Sequence, residues 1–364
     1  MTDTFDPAKT GRSFALALTD YGWSAHFQAQ LEMDELAETI PVRVMAVHRN
    51  ALDVAGPDYE GRILPLAAVA DKEDSAATAG DWLLIDRPTL RPRRILQRRS
   101  LFRRRAAGPK VRAQLIAANI DTLFIVSSCN QDFNPARIER YLALAREAEV
   151  TPVIVLTKAD LADSGSHTYI ADAARLSSGV LVEALDARSP REVARLGAWC
   201  GRGQTVALLG SSGVGKSTLL NTLSGETIQT VGGIRAGDEK GKHTTTGRSL
   251  HRLGSGAWLL DTPGMRELQL AGVEAGIDAV FGDVAELGRQ CRFKDCRHET
   301  EPDCAVRNAI SQGALDAERL KRYRKLLRED ARNTETLAEA NARSRSFGRH
   351  VKRIMKAKRD RNGF

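Results

Sequence analysis

Eight consecutive residues, Gly210-Ser211-Ser212-Gly213-Val214-Gly215-Lys216-Ser217, read GxxxxGK[ST] and restrict the fold more than any other stretch of the chain. The pattern needs a strand ending just before it and a helix opening just inside it. The flanks supply both, with the apolar run Thr205–Leu209 ahead and Ser217–Leu223 behind. Glycines let backbone N–H groups turn inward around phosphate oxygens, Lys216 neutralises β and γ oxygens, and Ser217 offers an oxygen to Mg2+. The helix N-terminus adds the positive end of its dipole. A chance glycine-rich turn has no reason to carry these flanks.

The same βα alternation extends on both sides. Thr122–Val126 and Pro152–Leu156 read as buried strands, and Arg137–Val150 places Ile138, Tyr141, Leu142, Ala145 and Ala148 at helical spacing. This predicts an α/β domain over residues 113–272, a mostly parallel sheet with helices on both faces. Downstream of the P-loop, the strand Ala257–Leu260 ends in Asp261-Thr262-Pro263-Gly264. There Asp261 can hold Mg2+ through water, and the Gly264 amide can contact a γ-phosphate. Between the two motifs lies Gly241-Lys242-His243-Thr244-Thr245-Thr246. A threonine that reaches Mg2+ only when a γ-phosphate is present makes such a loop a switch, and Thr245 is the expected ligand. Met265 follows the DxxG motif, and a thioether cannot orient water. His243 is the expected substitute.

A guanine pocket needs an aspartate accepting from the N1–H and the exocyclic amine, and a lysine whose stem packs on the ring. The one tetrapeptide that fits is Thr157-Lys158-Ala159-Asp160, at the end of the strand Pro152–Leu156. That is the sheet edge where α/β proteins bind ligands. Base determinant, P-loop, switch threonines and DTPG then run in a circularly permuted order. The short serine-bearing loop that often helps hold guanine would fall near Ala184-Leu185-Asp186, and the sequence does not match it.

Ahead of this domain, short β-rich runs fill residues 39–112: Val42–Val47, Leu52–Val54, Ile63–Leu66, Trp82–Ile85 and Ile95–Gln97. They predict a small β-barrel, an OB-fold first and an SH3-like barrel second. Residues 1–38 form an N-terminal extension, of which 1–35 are ambiguous and read as partly disordered. Charge is uneven. Eleven basic residues and no acidic one lie between Arg87 and Arg112, and nine more with only Asp360 run from Arg343 to the end. These two segments hold +19 of a net +8, leaving −11 elsewhere. The concentration points to a polyanion, and to nucleic acid in particular. Residues 341–364 read as a basic tail.

Five cysteines are present, three within Cys291-x4-Cys296-x-His298-x5-Cys304. Three thiolates and one imidazole form the closed donor set of a structural zinc site. The residues between them are mostly charged and cannot build a core, so zinc would supply the folding energy of a small helical domain over 273–340. Cys129 and Cys200 sit in apolar contexts and read as buried thiols. No apolar run is long enough to span a membrane, and neither a signal core nor disulfide usage is evident. A cytoplasmic location is expected.

This arrangement resembles the ribosome small-subunit-dependent GTPase family (RsgA, also called YjeQ). The resemblance covers about residues 40–330 and is carried by Gly210–Thr218, His243–Thr246, Asp261–Gly264 and the cysteine segment. It implies a multidomain protein with a β-barrel, a circularly permuted P-loop GTPase domain and a zinc-binding helical domain. It implies GTP binding by Thr157, Lys158, Ala159 and Asp160, by Gly210 through Thr218, and by Thr245, Asp261 and Gly264. It further implies slow GTP hydrolysis to GDP, stimulated by the 30S subunit late in its maturation, contact with 16S rRNA, and action as a monomer. Two other readings remain: an RNA-binding scaffold with a vestigial nucleotide site, and a permuted GTPase acting on another RNA particle.

Overall fold

Aromatic side chains decide how the N-terminal residues fold. The computed structural model describes residues 16–66, 76–105, 113–162, 165–225, 248–261 and 270–334. Residues 16–38 form a 3-10 turn at Leu18–Tyr21 and two short helices, α1 (Ala25–Gln28) and α2 (Met33–Glu38). Phe27 is fully buried, Trp23 meets Trp82 edge to face at 4.8 Å, and Tyr21 stacks on Trp258 at 5.6 Å. The expectation of partial disorder does not hold for this stretch. Large apolar rings buried against distant strands fix it, and composition does not report such contacts.

Five antiparallel strands follow: β1 (Thr39–Val47), β2 (Leu52–Ala55), β3 (Glu60–Ile63), β4 (Trp82–Asp86) and β5 (Pro92–Ile95). β1 pairs with both β2 and β4, β2 with β3, and β4 with β5. Alternate residues Ile40, Val42 and Val44 of β1 join Leu52, Val54, Ile63, Leu83 and Ile85 in one small core. β4 reads as an unbroken apolar run because both faces are buried. Leu83 and Ile85 enter the small core, while Trp82 and Leu84 enter the larger core beneath. The third and fifth strands begin three residues earlier than the apolar pattern suggests, because Glu60, Arg62, Arg93 and Arg94 occupy positions within them. A separate antiparallel pair, β6 (Leu101–Arg105) and β7 (Ala113–Ala118), joins this unit to the next. The boundary drawn at 112/113 therefore passes between two paired strands.

The α/β region contains β8 (Thr122–Ser128), α3 (Pro135–Glu147), β9 (Thr151–Thr157), α4 (His167–Ala174), β10 (Leu181–Ala184) and α5 (Pro190–Val193). It continues with β11 (Thr205–Leu209), α6 (Lys216–Ser224), β12 (Arg248–Arg252) and β13 (Trp258–Asp261). In space the order is β10-β9-β8-β11-β13, parallel throughout. β12 runs antiparallel to β13 and then pairs with β1, Ala46 opposite Ser249 and Val47 opposite Arg248. The described strands β1–β5 and those of the α/β region thus share one continuous sheet. A buried arginine reinforces the junction. Arg43 of β1 donates to the Tyr21 carbonyl at 2.6 Å and to Thr205 Oγ1 at 2.7 Å, at the foot of the strand that feeds the P-loop. Burial pulls its guanidinium down to about 10, which leaves it charged at neutral pH.

Four helices complete the described chain: α7 (Glu274–Val280), α8 (Gly282–Arg289), α9 (Ala305–Ser311) and α10 (Ala317–Thr334). α7 crosses α3 so closely that a Cβ on Gly276 would lie 2.2 Å from the Ala143 carbonyl oxygen. α10 is tied to α3 by charge: buried Glu139 accepts from Arg322 at 2.8 Å and Arg319 at 3.2 Å. Arg319 also lies 4.7 Å over the Phe281 ring. Among the described residues, no helix is long and apolar enough to cross a membrane. The basic tail lies outside the described residues.

Candidate nucleotide site and metal centre

The motif-bearing strands β9, β11 and β13 run parallel, so their carboxyl ends meet on one sheet edge. β9 ends at Thr157, β11 delivers Gly210 and the P-loop, and β13 ends at Asp261. β8 lies between β9 and β11, which sets the end of β9, with Thr157, about 10 Å from β11 at ordinary strand spacing. The loops close that gap. Thr157 is fully buried, and its hydroxyl donates to the carbonyl of Val214 at 2.5 Å, with the Ser127 carbonyl the next acceptor at 3.1 Å. The tetrapeptide at 157–160 and the P-loop are therefore in direct contact, despite their reversed order in the chain.

Within the P-loop the glycines are required by geometry. Gly215 has φ +93°, and a Cβ there would stand 3.2 Å from Thr157 Oγ1; one on Gly210 would lie 2.3 Å from the Val126 carbonyl oxygen. Val214 is buried and anchors the loop, while Ser212 and Gly213 form its exposed rim. Gly215 caps α6, and Lys216, Ser217 and Thr218 make up its first turn. Lys216 Nζ donates to the Ser211 carbonyl. Sequence reasoning missed Arg137 of α3, whose guanidinium donates to Ser211 Oγ at 2.9 Å. Asn134, accepting from the Arg137 N–H at 3.0 Å, starts the helix that positions it.

On the base side, Lys158 adopts φ +57°, a left-handed conformation that turns the chain sharply after β9. Asp160 follows, its side chain 30% exposed and paired at 2.7 Å with Arg188 from the loop after β10. Burial pushes the neighbouring Cys129 thiol up to about 11, which keeps it protonated and inert. The predicted residues His243, Thr245 and Gly264, with Thr244, Thr246 and Met265, lie outside the described residues.

Cys291, Cys296, His298 and Cys304 converge, one ligand atom from each lying within 4.8 Å of the others. His298 Nδ1 stands 3.6, 3.4 and 3.3 Å from the sulfurs of Cys291, Cys296 and Cys304, and Cys291 Sγ is 3.8 Å from Cys304 Sγ. A zinc tetrahedron with bonds of about 2.3 Å to sulfur and about 2.0 Å to nitrogen has edges of roughly 3.5–3.8 Å. Four of the six donor separations lie at or near these edges and all stay within 4.8 Å, so the donor set is compatible with zinc. Burial holds the His298 imidazole below its ordinary pKa, favouring the neutral form that ligates.

The arginine stretch is less bare than its sequence. Arg93 pairs with Glu38 and Asp86, Arg94 with Glu35, Arg98 with Asp81, and Arg99 with Asp121. The absence of acidic residues in the local sequence is therefore misleading for these four, because carboxylates from α2, from Asp81 and Asp86 at the two ends of the β4 segment, and from the β7–β8 turn fold onto them. Further along, on β6, Arg104 Nε donates to Gln114 Oε1 at 2.7 Å.

Comparisons with known proteins agree with this geometry. The family model described as RsgA GTPase matches residues 95–271. A Vibrio vulnificus protein named small ribosomal subunit biogenesis GTPase RsgA 2 is 47% identical over 341 residues, covering 94% of this chain and 96% of its own. A Mesorhizobium japonicum protein named small ribosomal subunit biogenesis GTPase RsgA is 48% identical over 341 residues, covering 93% and 96%. The crystal structure of YjeQ from Thermotoga maritima shares the fold at a TM-score of 0.60 and 23% identity, over 80% of this chain and 98% of that one. YloQ, described as a circularly permuted GTPase, superposes at 0.57 with 22% identity, over 82% and 96%.

Proposed function

The chain belongs to the RsgA family of GTPases, and from that premise we propose that it hydrolyses GTP to GDP and phosphate on the small (30S) ribosomal subunit during the subunit's biogenesis. The observation that supports this reading is the Thr157–Val214 hydrogen bond, through which the tetrapeptide Thr157–Asp160 touches the P-loop. In the proposed site Asp160 accepts from guanine and the Lys158 stem packs on the ring, with Thr157 bracing the pocket from behind. Backbone N–H groups from Gly210 through Thr218 and the Lys216 ammonium hold the phosphates. Ser217 and Thr245 would hold Mg2+, which when bound neutralises phosphate charge. Asp261 and the Gly264 amide complete the γ-phosphate side, and His243 orients the attacking water.

The strands of residues 39–112 act as an OB-fold that meets 16S rRNA, with the basic residues of β6 and the tail as phosphate contacts. Residues 273–340 form the zinc-binding domain, where zinc supplies folding energy and Cys291, Cys296, His298 and Cys304 hold it. The protein works as a cytoplasmic monomer. Turnover of GTP and of ATP, each with and without purified 30S subunits, tests the reading. GTP-specific stimulation by the subunit supports it; equal use of both nucleotides, or no stimulation, refutes it. Lys216→Ala should abolish nucleotide binding, while His243→Ala should keep GTP affinity and lose most stimulated turnover.

A further inference from the structure

Guanine offers two adjacent donors, N1–H and the 2-amino group, and one carboxylate reads both only if its plane is held towards the ring. Asp160 lies on a short turn after β9, open to solvent, and a free carboxylate there would rotate. The sequence also lacks the serine-bearing loop that often steadies this position. The structure offers a different brace. Arg188 binds Asp186 through Nε at 3.0 Å and Nη2 at 3.1 Å, and the same Nη2 reaches Asp160 Oδ2 at 2.7 Å. The Arg188 backbone N–H also donates to Asp186 Oδ1 at 2.9 Å, so the guanidinium is anchored before it reaches across.

The loop carrying this brace is itself fixed. Leu185 N–H donates to the Leu156 carbonyl at 2.9 Å, which ties it to β9. Asp186 N–H donates to Glu192 Oε2 at 2.9 Å, and Thr222 Oγ1 of the P-loop helix donates to the Ala187 carbonyl at 2.7 Å. The base side of the site is thereby connected to the helix that holds the phosphates. Each carboxylate oxygen can accept two hydrogen bonds, so Asp160 can receive Arg188 and still present both oxygens to a purine.

We propose that Arg188, clamped by Asp186, is a positioning residue that orients Asp160 and so sets the preference for guanine. The proposal rests on the reading of Asp160 as the guanine acceptor. It is a role for the guanidinium in discrimination between bases, separate from phosphate chemistry. Arg188 is well exposed, so its effect is moderate and is felt most where two hydrogen bonds depend on one plane.

Dissociation constants of GDP and of inosine diphosphate, which lacks the 2-amino group, test the proposal by competition against a fluorescent GDP analogue on the full chain. Arg188→Ala should weaken GDP about tenfold, the size of one lost charge-assisted hydrogen bond, and inosine diphosphate less than about threefold. The preference for GDP over inosine diphosphate then narrows. Arg188→Lys should recover part of it, and Asp186→Asn, which unclamps the guanidinium without removing it, should narrow it again. Unchanged or tighter GDP binding in Arg188→Ala, or equal loss for both nucleotides at an unchanged melting temperature, overturns the proposal. Asp160→Asn separates the two levels. If it leaves the preference untouched, the base reading itself fails; if it alters the preference while Arg188→Ala does not, only the brace fails.

Discussion

Thr157 and Val214 stand 57 positions apart in the chain and are joined by a 2.5 Å hydrogen bond with the hydroxyl as donor. It is a buried bond between the turn proposed to read the base and the backbone of the P-loop. Removing the hydroxyl leaves a buried carbonyl without that donor, at a cost of about 1–3 kcal/mol. Thr157→Val, which keeps the shape, should lower the unfolding free energy by that amount in a denaturant titration and weaken GDP binding in parallel. A variant as stable and as tight as the parent would show that the bond holds nothing together.

The Cys/His centre predicts stoichiometry. Protein purified without added zinc should carry close to one equivalent by metal analysis, and Cys296→Ser well under one. Chelation should remove helicity contributed by α8 and α9 while leaving the α/β sheet folded, because few apolar residues in 291–304 can hold that segment alone. Full zinc content in Cys296→Ser would refute the assignment.

Glu139 is the buried anion on which α10 docks. Its removal leaves Arg322 without that carboxylate, while Arg319 keeps Asp283, so the cost falls below the ~3–5 kcal/mol of a fully stranded buried charge. Glu139→Ala should therefore cost about 1–3 kcal/mol of stability and raise protease sensitivity in α10, and Glu139→Gln, which retains an acceptor, should cost less. If limited proteolysis finds α10 equally protected in Glu139→Ala, the ion triad does not govern docking.

Acid should loosen the β1–β5 region and the α2 helix beside it first. Arg94 beside Glu35 holds that carboxyl down to about 2 from an ordinary 4.5, and Arg62 beside Asp53 does the same from 3.8 to about 2. The folded-state values lie below the unfolded ones, so this stability is complete above about pH 5 and is lost as pH falls from there towards 2. Thermal midpoints measured from pH 6 to pH 3 should decline, and Glu35→Gln combined with Asp53→Asn should flatten the decline. An unchanged slope in the double variant would count against these two pairs.

Local chemistry was legible in the sequence. The P-loop, its flanking strand and helix, and the four metal donors each lie within a short segment whose spacing is dictated by phosphate or metal geometry. What escaped was non-local. Residues 16–38 are held by Trp82 and Trp258, far along the chain. The arginines between Arg93 and Arg99 find carboxylates that no local pattern associates with them. Arg137 and Arg188 belong to no motif, and only the meeting of loops at the sheet edge brings them to the site.

The pairing of Val47 with Arg248 has a mechanical meaning. The segment holding Thr245 leads straight into β12, and β12 is hydrogen-bonded along its edge to β1 with no intervening spacer. A flexible tether would dissipate any torque arising at the phosphate end. With two backbone pairs and no linker between them, a displacement of β12 would carry straight into β1, as one end of a plank moves the other.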